Sequence, residues 1–150
     1  MGSRCAMAGR LVRRKPGGEF DTALHHSHAA LALYHRLQDP RGEADVADTL
    51  GLVAHRTGDH LQAIGHYHHA IALRRAQTNT YETAHTLDRM GHPHAALGRQ
   101  EEARMFWREA LALYREQSRD TDAIRIQQQL DDLDTHHDAA QPPRDAESAK

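Results

Sequence analysis

The fold is decided by the stretch LGLVAHRTGDHLQAIGHYHHAIAL at residues 50–73, because the chain repeats its pattern 40 residues later as MGHPHAALGRQEEARMFWREALAL at residues 90–113. A shorter copy, HSHAALAL, precedes both at residues 26–33. The recurring residues are small or bulky and apolar, and they pair as Gly51 with Gly91, Gly58 with Gly98, Ala63 with Ala103, Tyr67 with Trp107 and Ala70 with Ala110. Self-similarity at a fixed period of this length indicates a repeat architecture.

Within each copy the apolar residues have the spacing of a helix. One stripe recurs at i, i+1, i+4, i+7 and i+8 and consists of Ala63, Ile64, Tyr67, Ala70 and Ile71. That spacing places them on one face of an α-helix. A second stripe precedes it at residues 47–54, so each unit is predicted to be two antiparallel helices.

The turn between the two helices carries its own signals. Gly58 fits the left-handed conformation in which many helices end, and the next copy has a glycine at the same place. Asp59 followed by Gln62 is typical of a capping box at the start of the following helix, and Asn79 followed by Glu82 is another. We therefore expect helices to end at these glycines and to begin just after Asp59 and Asn79.

The second copy resembles a tetratricopeptide repeat, whose pattern of Leu-Gly, Gly, Ala, aromatic and Ala is matched by Leu50-Gly51, Gly58, Ala63, Tyr67 and Ala70. The third copy matches the pattern again. The resemblance covers about residues 18–133 and implies an all-α, tetratricopeptide-like solenoid of helical hairpins with about three helix pairs. A period of 40 in place of the usual 34 residues or so implies longer helices. Ser27 departs from the pattern, because it stands at the aromatic position of the first unit.

Composition divides the chain into three segments. Residues 1–17 are a basic leader or partial helix that we expect to be poorly ordered, and Lys15-Pro16-Gly17-Gly18 interrupts the chain before the repeats. Residues 18–133 form the repeat domain. Residues 134–150 have the composition of a disordered tail.

Pro93 falls inside the helix predicted over residues 80–97. Proline there removes a backbone hydrogen bond and clashes with the preceding turn. We expect a kink near Gly91, and a flexible surface loop is the alternative.

Residues 91–130 also resemble a narrower group, the C-terminal repeat arms of actinobacterial regulators of the SARP and STAND types. In that group the arm follows a winged-helix DNA-binding domain, a nucleotide-binding domain, or both. This chain has no G-x-x-x-x-G-K-[ST] phosphate loop. DNA binding and ATP binding are therefore not carried over, and the resemblance implies the arm or a remnant of a bacterial regulatory protein.

Composition excludes several classes of protein. No run approaches the 18 or so apolar residues of a membrane span, and no N-terminal segment has the apolar centre of a signal peptide, so a cytoplasmic location without membrane contact is expected. The net charge of −2 gives no global nucleic-acid footprint. The basic run RLVRRK at residues 10–15 leaves contact with nucleic acid or an acidic partner as an alternative.

No arrangement of residues points to an enzyme or a cofactor. Cys5 is the only cysteine and has no evident base partner. Asp45, Asp48, His55 and His85 are acid–base candidates on neighbouring first helices, but polar residues at these positions are typical of a solvated helix face. We therefore predict a non-catalytic protein without a cofactor.

The 14 histidines raise the question of a metal site. His25 with His28, and His66 with His69, are i, i+3 pairs that offer two ligands each. A protein metal site needs several ligands that converge on one point, and neither helix offers a cysteine or carboxylate at matching spacing. No metal site is predicted, and a histidine-based sensor of metal or pH is the alternative function.

The resemblance to tetratricopeptide repeats implies a function in protein–protein interaction. In such solenoids the first helices of the hairpins line a concave groove that takes a peptide or a partner domain. A short array also leaves an apolar end uncovered, through which the chain could form a homo-oligomer. The residues that match groove positions are Asp45, Asp48, Thr49, Leu52, His55, Arg56, His85, Asp88, Arg89, His92, Arg125, Gln128 and Gln129.

Overall fold

The structure is a computed structural model that describes the backbone of residues 18–140 and the side chains of residues 21–136. The predicted leader at residues 1–17 and residues 141–150 of the predicted tail lie outside the described residues. The described chain forms six helices and no strand, which confirms the all-α fold of helical hairpins. The helices are α1 (Gly18–Arg36), α2 (Pro40–Arg56), α3 (His60–Ala76), α4 (Thr80–Ala96), α5 (Gln100–Glu116) and α6 (Asp120–Ala140).

The even spacing of the helices explains the 40-residue period of the sequence. Each helix from α2 to α5 has 17 residues, and three residues separate it from the next helix. Two such helices with their connections fill one period, so the longer helices that the period implies are present. Helix α6 runs to Ala140, past residue 133 where the sequence placed the end of the repeat domain.

The turns inside the hairpins have the predicted glycine ends. Gly58 and Gly98 have φ angles of +89° and +77°. After α2, the Asp59 N–H donates to the Ala54 carbonyl at 2.8 Å and the Gly58 N–H donates to the His55 carbonyl at 3.1 Å. This pair of bonds is the Schellman motif, which satisfies carbonyls at the helix end.

The predicted caps at the helix starts are also present. The Asp59 carboxylate accepts a hydrogen bond from the Gln62 N–H at 3.4 Å, and the Asn79 side chain accepts one from the Glu82 N–H at 3.2 Å. Each bond satisfies one of the backbone donors that a helix leaves open at its N-terminus. These bonds confirm the helix starts that the sequence predicted after Asp59 and Asn79.

Two compact units divide the chain, Met1–Thr78 and Asn79–Lys150, and we call them the first and second unit. The first unit contains α1, α2 and α3, and its core lies in the α2–α3 hairpin, where Leu50, Ala63 and Tyr67 are at most 1% exposed. A β-carbon on Gly51 would lie 2.6 Å from the Tyr67 ring. The missing side chain at Gly51 therefore admits the aromatic ring of the facing helix.

The second unit contains α4, α5 and α6 and repeats this packing with a larger ring. Leu87, Met90 and Ala103 are fully buried. A β-carbon on Gly91 would overlap the Trp107 indole, whose N–H also donates to the Asp88 carbonyl at 2.9 Å. The indole is thus fixed by packing and by a hydrogen bond, as is usual for a buried tryptophan.

Helix α4 continues without interruption from Thr80 to Ala96 with Pro93 in its last turns, so the alternative of a surface loop is wrong. Pro93 is buried, and its carbonyl accepts the Leu97 N–H at 3.1 Å. The kink near Gly91 stays a prediction.

Candidate functional site

Two of the predicted groove residues of α2 are held by an arginine of α3. Arg74 is 4% exposed, and its guanidinium contacts the Asp45 carboxylate at 3.0 Å and the Asp48 carboxylate at 3.4 Å. Asp48 is itself buried. A buried charge is tolerated only when it is paired and hydrogen-bonded, so this ion-pair cluster joins the two helices of the hairpin.

The rest of the predicted α2 face is open to solvent. Thr49 and Arg56 are exposed and Leu52 is half-buried. His55 lies across the turn from His60, with their Nδ1 atoms 2.9 Å apart. The first unit therefore offers Thr49, Leu52 and Arg56 for contact with a partner.

In the second unit the corresponding carboxylate, Asp88, has a different partner on the second helix. The Tyr114 hydroxyl donates to Asp88 Oδ2 at 2.9 Å, and Arg125 of α6 contacts the same oxygen at 2.5 Å. Burial, and then the Asp88 carboxylate, raise the pKa of Tyr114. The hydrogen bonds that Arg125 donates to Asp88 raise the pKa of Arg125. The structure thus brings Asp88 and Arg125 together, and they bond to each other.

A neighbouring arginine, Arg119, extends this network. Its guanidinium lies 3.9 Å from the centre of the Tyr81 ring and 4.5 Å from that of Tyr114, in contact with His85. Burial, and then the Arg119 charge, lower the pKa of His85. Arg119 was not predicted from the sequence, because its role depends on two aromatic rings from α4 and α5 that no local motif connects to it.

A groove with a volume of about 330 Å³ opens beside this network, and we call it the second-unit groove. Helix α4 contributes one residue to it, α5 contributes two and α6 contributes four. The lining residues are His92, Gln100, Trp107, Gln129, Asp132, Leu133 and His136.

His92 and Gln129 of this lining were predicted from the sequence, and the other five were not. The repeat carried the signal for Asp132, which lies 40 residues after His92 just as His92 lies 40 after Leu52. His136 lies two periods, or 80 residues, after Arg56. One more turn of α6, read by the same register, would have found both.

The second-unit groove contains two acceptor groups that have no side-chain partner among the described residues, on Gln129 and Asp132. Oε1 of Gln129 is buried and accepts no hydrogen bond from the described residues. The exposed Asp132 forms no side-chain ion pair within residues 21–136. His136 Nδ1 lies 2.7 Å from the Asp132 backbone carbonyl, to which it donates a hydrogen bond. The other ring nitrogen of the neutral imidazole, Nε2, is then an acceptor.

One wall of the groove is aromatic and uncharged at neutral pH. The His92 ring lies edge-on to Trp107, with the ring centres 5.3 Å apart. Burial lowers the pKa of His92, and this outweighs the opposing effect of Asp88, whose carboxylate lies 3.9 Å away. The groove therefore combines an apolar wall with a rim of acceptors.

The profile of the family described as Tetratricopeptide repeat matches residues 42–116, half of the chain. The chain belongs to the tetratricopeptide repeat family. The crystal structure of BtubC (BKLC) from P. vanneervenii is similar, with 14% sequence identity and a TM-score of 0.59 over 85% of this chain. The match covers 61% of the BtubC chain, and at this identity it supports the fold alone. No curated protein matches this chain.

Tetratricopeptide repeats are typically non-catalytic scaffolds for protein–protein interaction, and this family membership supports that general role here. No helix within residues 18–140 has the length and apolar character needed to cross a lipid bilayer.

Three histidines of the predicted pairs in the first unit have partners on other helices, namely His28, His66 and His69. His28 meets His66, with ring centres 6.0 Å apart, while His69 and His35 approach the Glu43 carboxylate at 2.9 and 3.3 Å. Burial, and then the charges of His28 and His69, lower the pKa of His66. Among the residues with described side chains, no three His, Cys, Asp or Glu residues are arranged to hold a metal ion.

Proposed function

We propose that this chain is a non-catalytic protein–protein interaction module that binds a peptide or partner domain through the exposed residues of its first helices. The observation that carries the proposal is the second-unit groove, which combines the apolar Trp107 and Leu133 with the Gln129 amide oxygen and the Asp132 carboxylate, neither of which has a side-chain partner within residues 21–136. Binding sites are typically apolar depressions with a few well-placed polar groups.

The predicted groove residues have two different roles in this proposal. Asp48, Asp88 and Arg125 hold their hairpins together through the ion pairs described above. Their loss would weaken the fold as well as any interaction. The residues proposed to contact the partner are Thr49, Leu52 and Arg56 in the first unit and His92, Gln128, Gln129 and Asp132 in the second.

The proposed setting is a bacterial regulatory protein, of which this chain would be the interaction arm or a remnant. The support is the resemblance of residues 91–130 to the repeat arms of SARP-type and STAND-type regulators in actinobacteria. In that setting the module acts in the cytoplasm and contributes to transcriptional regulation by binding another protein.

Affinity purification of interacting proteins from the native host tests the proposal. The baits are the wild-type chain, the groove variant Asp132→Asn and the matched control Glu102→Gln, which removes one exposed carboxylate of α5 outside the groove. We expect a partner that the wild type and the control retain and the groove variant loses, with all three melting at the same temperature. A partner retained equally by all three baits would contradict binding through the groove.

The second candidate function is a histidine-based sensor of metal or pH. The observation that favours a response to pH is the approach of His35 and His69 to one side-chain oxygen of Glu43, from α1 and α3 onto α2; no described side chains form a set of three metal ligands. Calorimetry with zinc tests this function. Stoichiometric submicromolar binding that is lost in the double variant His66→Ala plus His69→Ala would support it, and its absence would exclude a zinc sensor.

A further inference from the structure

We infer that the second-unit groove takes an arginine side chain of the partner. This inference rests on the proposed function and names the chemistry of one contact. It follows from which atoms in the groove remain able to bond, from the charge around them and from the shape of the wall.

Two acceptor groups of the groove, on Gln129 and Asp132, have no side-chain partner among the described residues, and a ligand with several donors would satisfy both. The buried amide oxygen of Gln129 accepts no hydrogen bond from the described residues, and such an atom costs about 1–3 kcal/mol until it is satisfied. The side-chain amide of glutamine rotates over a broad range, so a donor that enters the groove can reach it. Asp132 adds a carboxylate at the exposed edge. A guanidinium carries five N–H donors and no acceptor.

The Asp132 carboxylate gives the groove a negative charge, and it forms no side-chain ion pair within residues 21–136. Arg125 is paired with Asp88 and Asp122, and Arg104 is paired with Glu101 and Asp134. The lowered pKa of His92 leaves that ring neutral at pH 7. A cationic side chain of the partner is therefore complementary to Asp132.

The shape of the wall favours arginine over lysine. Trp107 and the His92 ring form an aromatic edge, and Leu133 adds apolar surface beside it. A guanidinium is planar, stacks on aromatic rings and binds a carboxylate through two parallel bonds, whereas an ammonium is a strongly hydrated point charge. Because both arginine and lysine have apolar methylene chains, the difference between them lies in the planar guanidinium, which favours arginine.

Nuclear magnetic resonance of the full chain gives a direct reading of the groove. Trp107 is the only tryptophan, so its indole N–H gives a single indole signal, and this group lies in the groove wall. The probe is the blocked peptide Ac-Ala-Leu-Arg-Leu-Ala-NH2. Two matched probes carry citrulline, which has the shape of arginine without its charge, or lysine at the central position.

We expect the arginine peptide to shift the Trp107 indole signal in a saturable way, with binding about tenfold tighter than that of the citrulline peptide. The lysine peptide should bind more weakly than the arginine peptide. Asp132→Asn should weaken arginine binding by about tenfold, Gln129→Ala should also weaken it, and Glu102→Gln should leave it unchanged. Because Asp132 is exposed, its variant is expected to keep the wild-type melting temperature.

Equal binding of the arginine and citrulline peptides, or no shift with any peptide, would overturn the inference, as would lysine binding as tightly as arginine. The proposed function fails separately. A natural partner that depends on the groove in the affinity purification, but contains no arginine needed for that binding, would uphold the function and overturn this inference.

Discussion

At Gly51 the backbone of α2 approaches the Tyr67 ring so closely that a β-carbon would lie 2.6 Å from it. Gly51→Ala should therefore destabilise the fold by about 1–3 kcal/mol, because the ring must move out of a packed core. Gly65 is the matched control, since it also lies within a helix and a β-carbon there would meet nothing within 4 Å. Gly65→Ala should stabilise by up to about 1 kcal/mol, as alanine does in an open helix position.

Urea unfolding of the two variants beside the wild type measures both effects. The opposite signs are the essential result. If both alanines raised the midpoint, helix propensity would account for both effects and the close approach to Tyr67 would be wrong.

Asp88 and Arg125 form a second contact whose value depends on both partners being present. Each single alanine variant leaves one charged group without its partner, which costs about 3–5 kcal/mol of stability in a fully buried pair. The partial exposure of Arg125 makes the expected loss smaller here. The Arg125 side chain is 44% exposed and the Asp88 side chain 7%, so the loss of Arg125 leaves the more deeply buried charge. The double variant should lose less stability than the sum of the two, with a coupling of about 0.5–3 kcal/mol. Additive losses in a double-mutant cycle would show that the ion pair contributes nothing to stability.

At the scale of elements, the connections between helices alternate in their chemistry. The turns inside the hairpins use Gly58 and Gly98 at positive φ, while the turns between hairpins place Gln38, Thr78 and Ser118 there, at +53°, +53° and +56°. The left-handed region costs a residue with a β-carbon about 1–2 kcal/mol. The chain therefore carries strain at the ends of α1, α3 and α5 that it avoids at the ends of α2 and α4.

Thr78→Gly tests this strain, and we expect it to stabilise the fold by about 0.5 kcal/mol after the entropic cost of glycine is subtracted. Gly98→Ala is the opposing variant. It should destabilise by about 1 kcal/mol, and no neighbour lies within 4 Å of its added β-carbon to complicate the result. A thermal melt in which Thr78→Gly lowers the midpoint would show that the threonine side chain contributes more than the strain it imposes.

At the scale of the whole chain, the 40-residue period was enough to predict the hairpins, the glycine turns and the core. The period relates positions, however, and does not specify the partner of each position. Arg74 and Tyr114 are equivalent in the repeat, yet one forms ion pairs with Asp48 and the other donates a hydrogen bond to Asp88. The groove list was incomplete for a related reason. The predicted groove residues of α6 ended at Gln129, although Asp132 and His136 lie in register with the predicted groove.

The end of the array bears on self-association, which stays a prediction. Ile124 of α6 is 68% exposed and lines a depression with Ala123 and Gln127. Association through the end of the array would bury this exposed side chain. We expect the wild type to show concentration-dependent association in sedimentation velocity and Ile124→Glu to reduce it. A strict monomer at every concentration would exclude association through this end.

The response of the chain to pH follows from three half-buried histidines, one in α3 and two in α4. Burial lowers the pKa of His66, His85 and His92 below the value of 6.5 that an exposed histidine has. The unfolded chain therefore binds more protons than the folded chain as the pH falls below 6.5, and the folded state loses stability in that range. Above 6.5 both states are largely neutral at these positions, and the stabilising contribution is fully present.

We expect the free energy of unfolding, measured in urea, to be lower at pH 5.5 than at pH 7.5. His92→Gln should reduce this difference, because glutamine removes a group that resists protonation only in the folded chain. His26→Gln is the matched control at an exposed position of α1 and should keep the wild-type difference. Equal or greater stability at pH 5.5 than at pH 7.5 would contradict a net effect of these three histidines on the folded state.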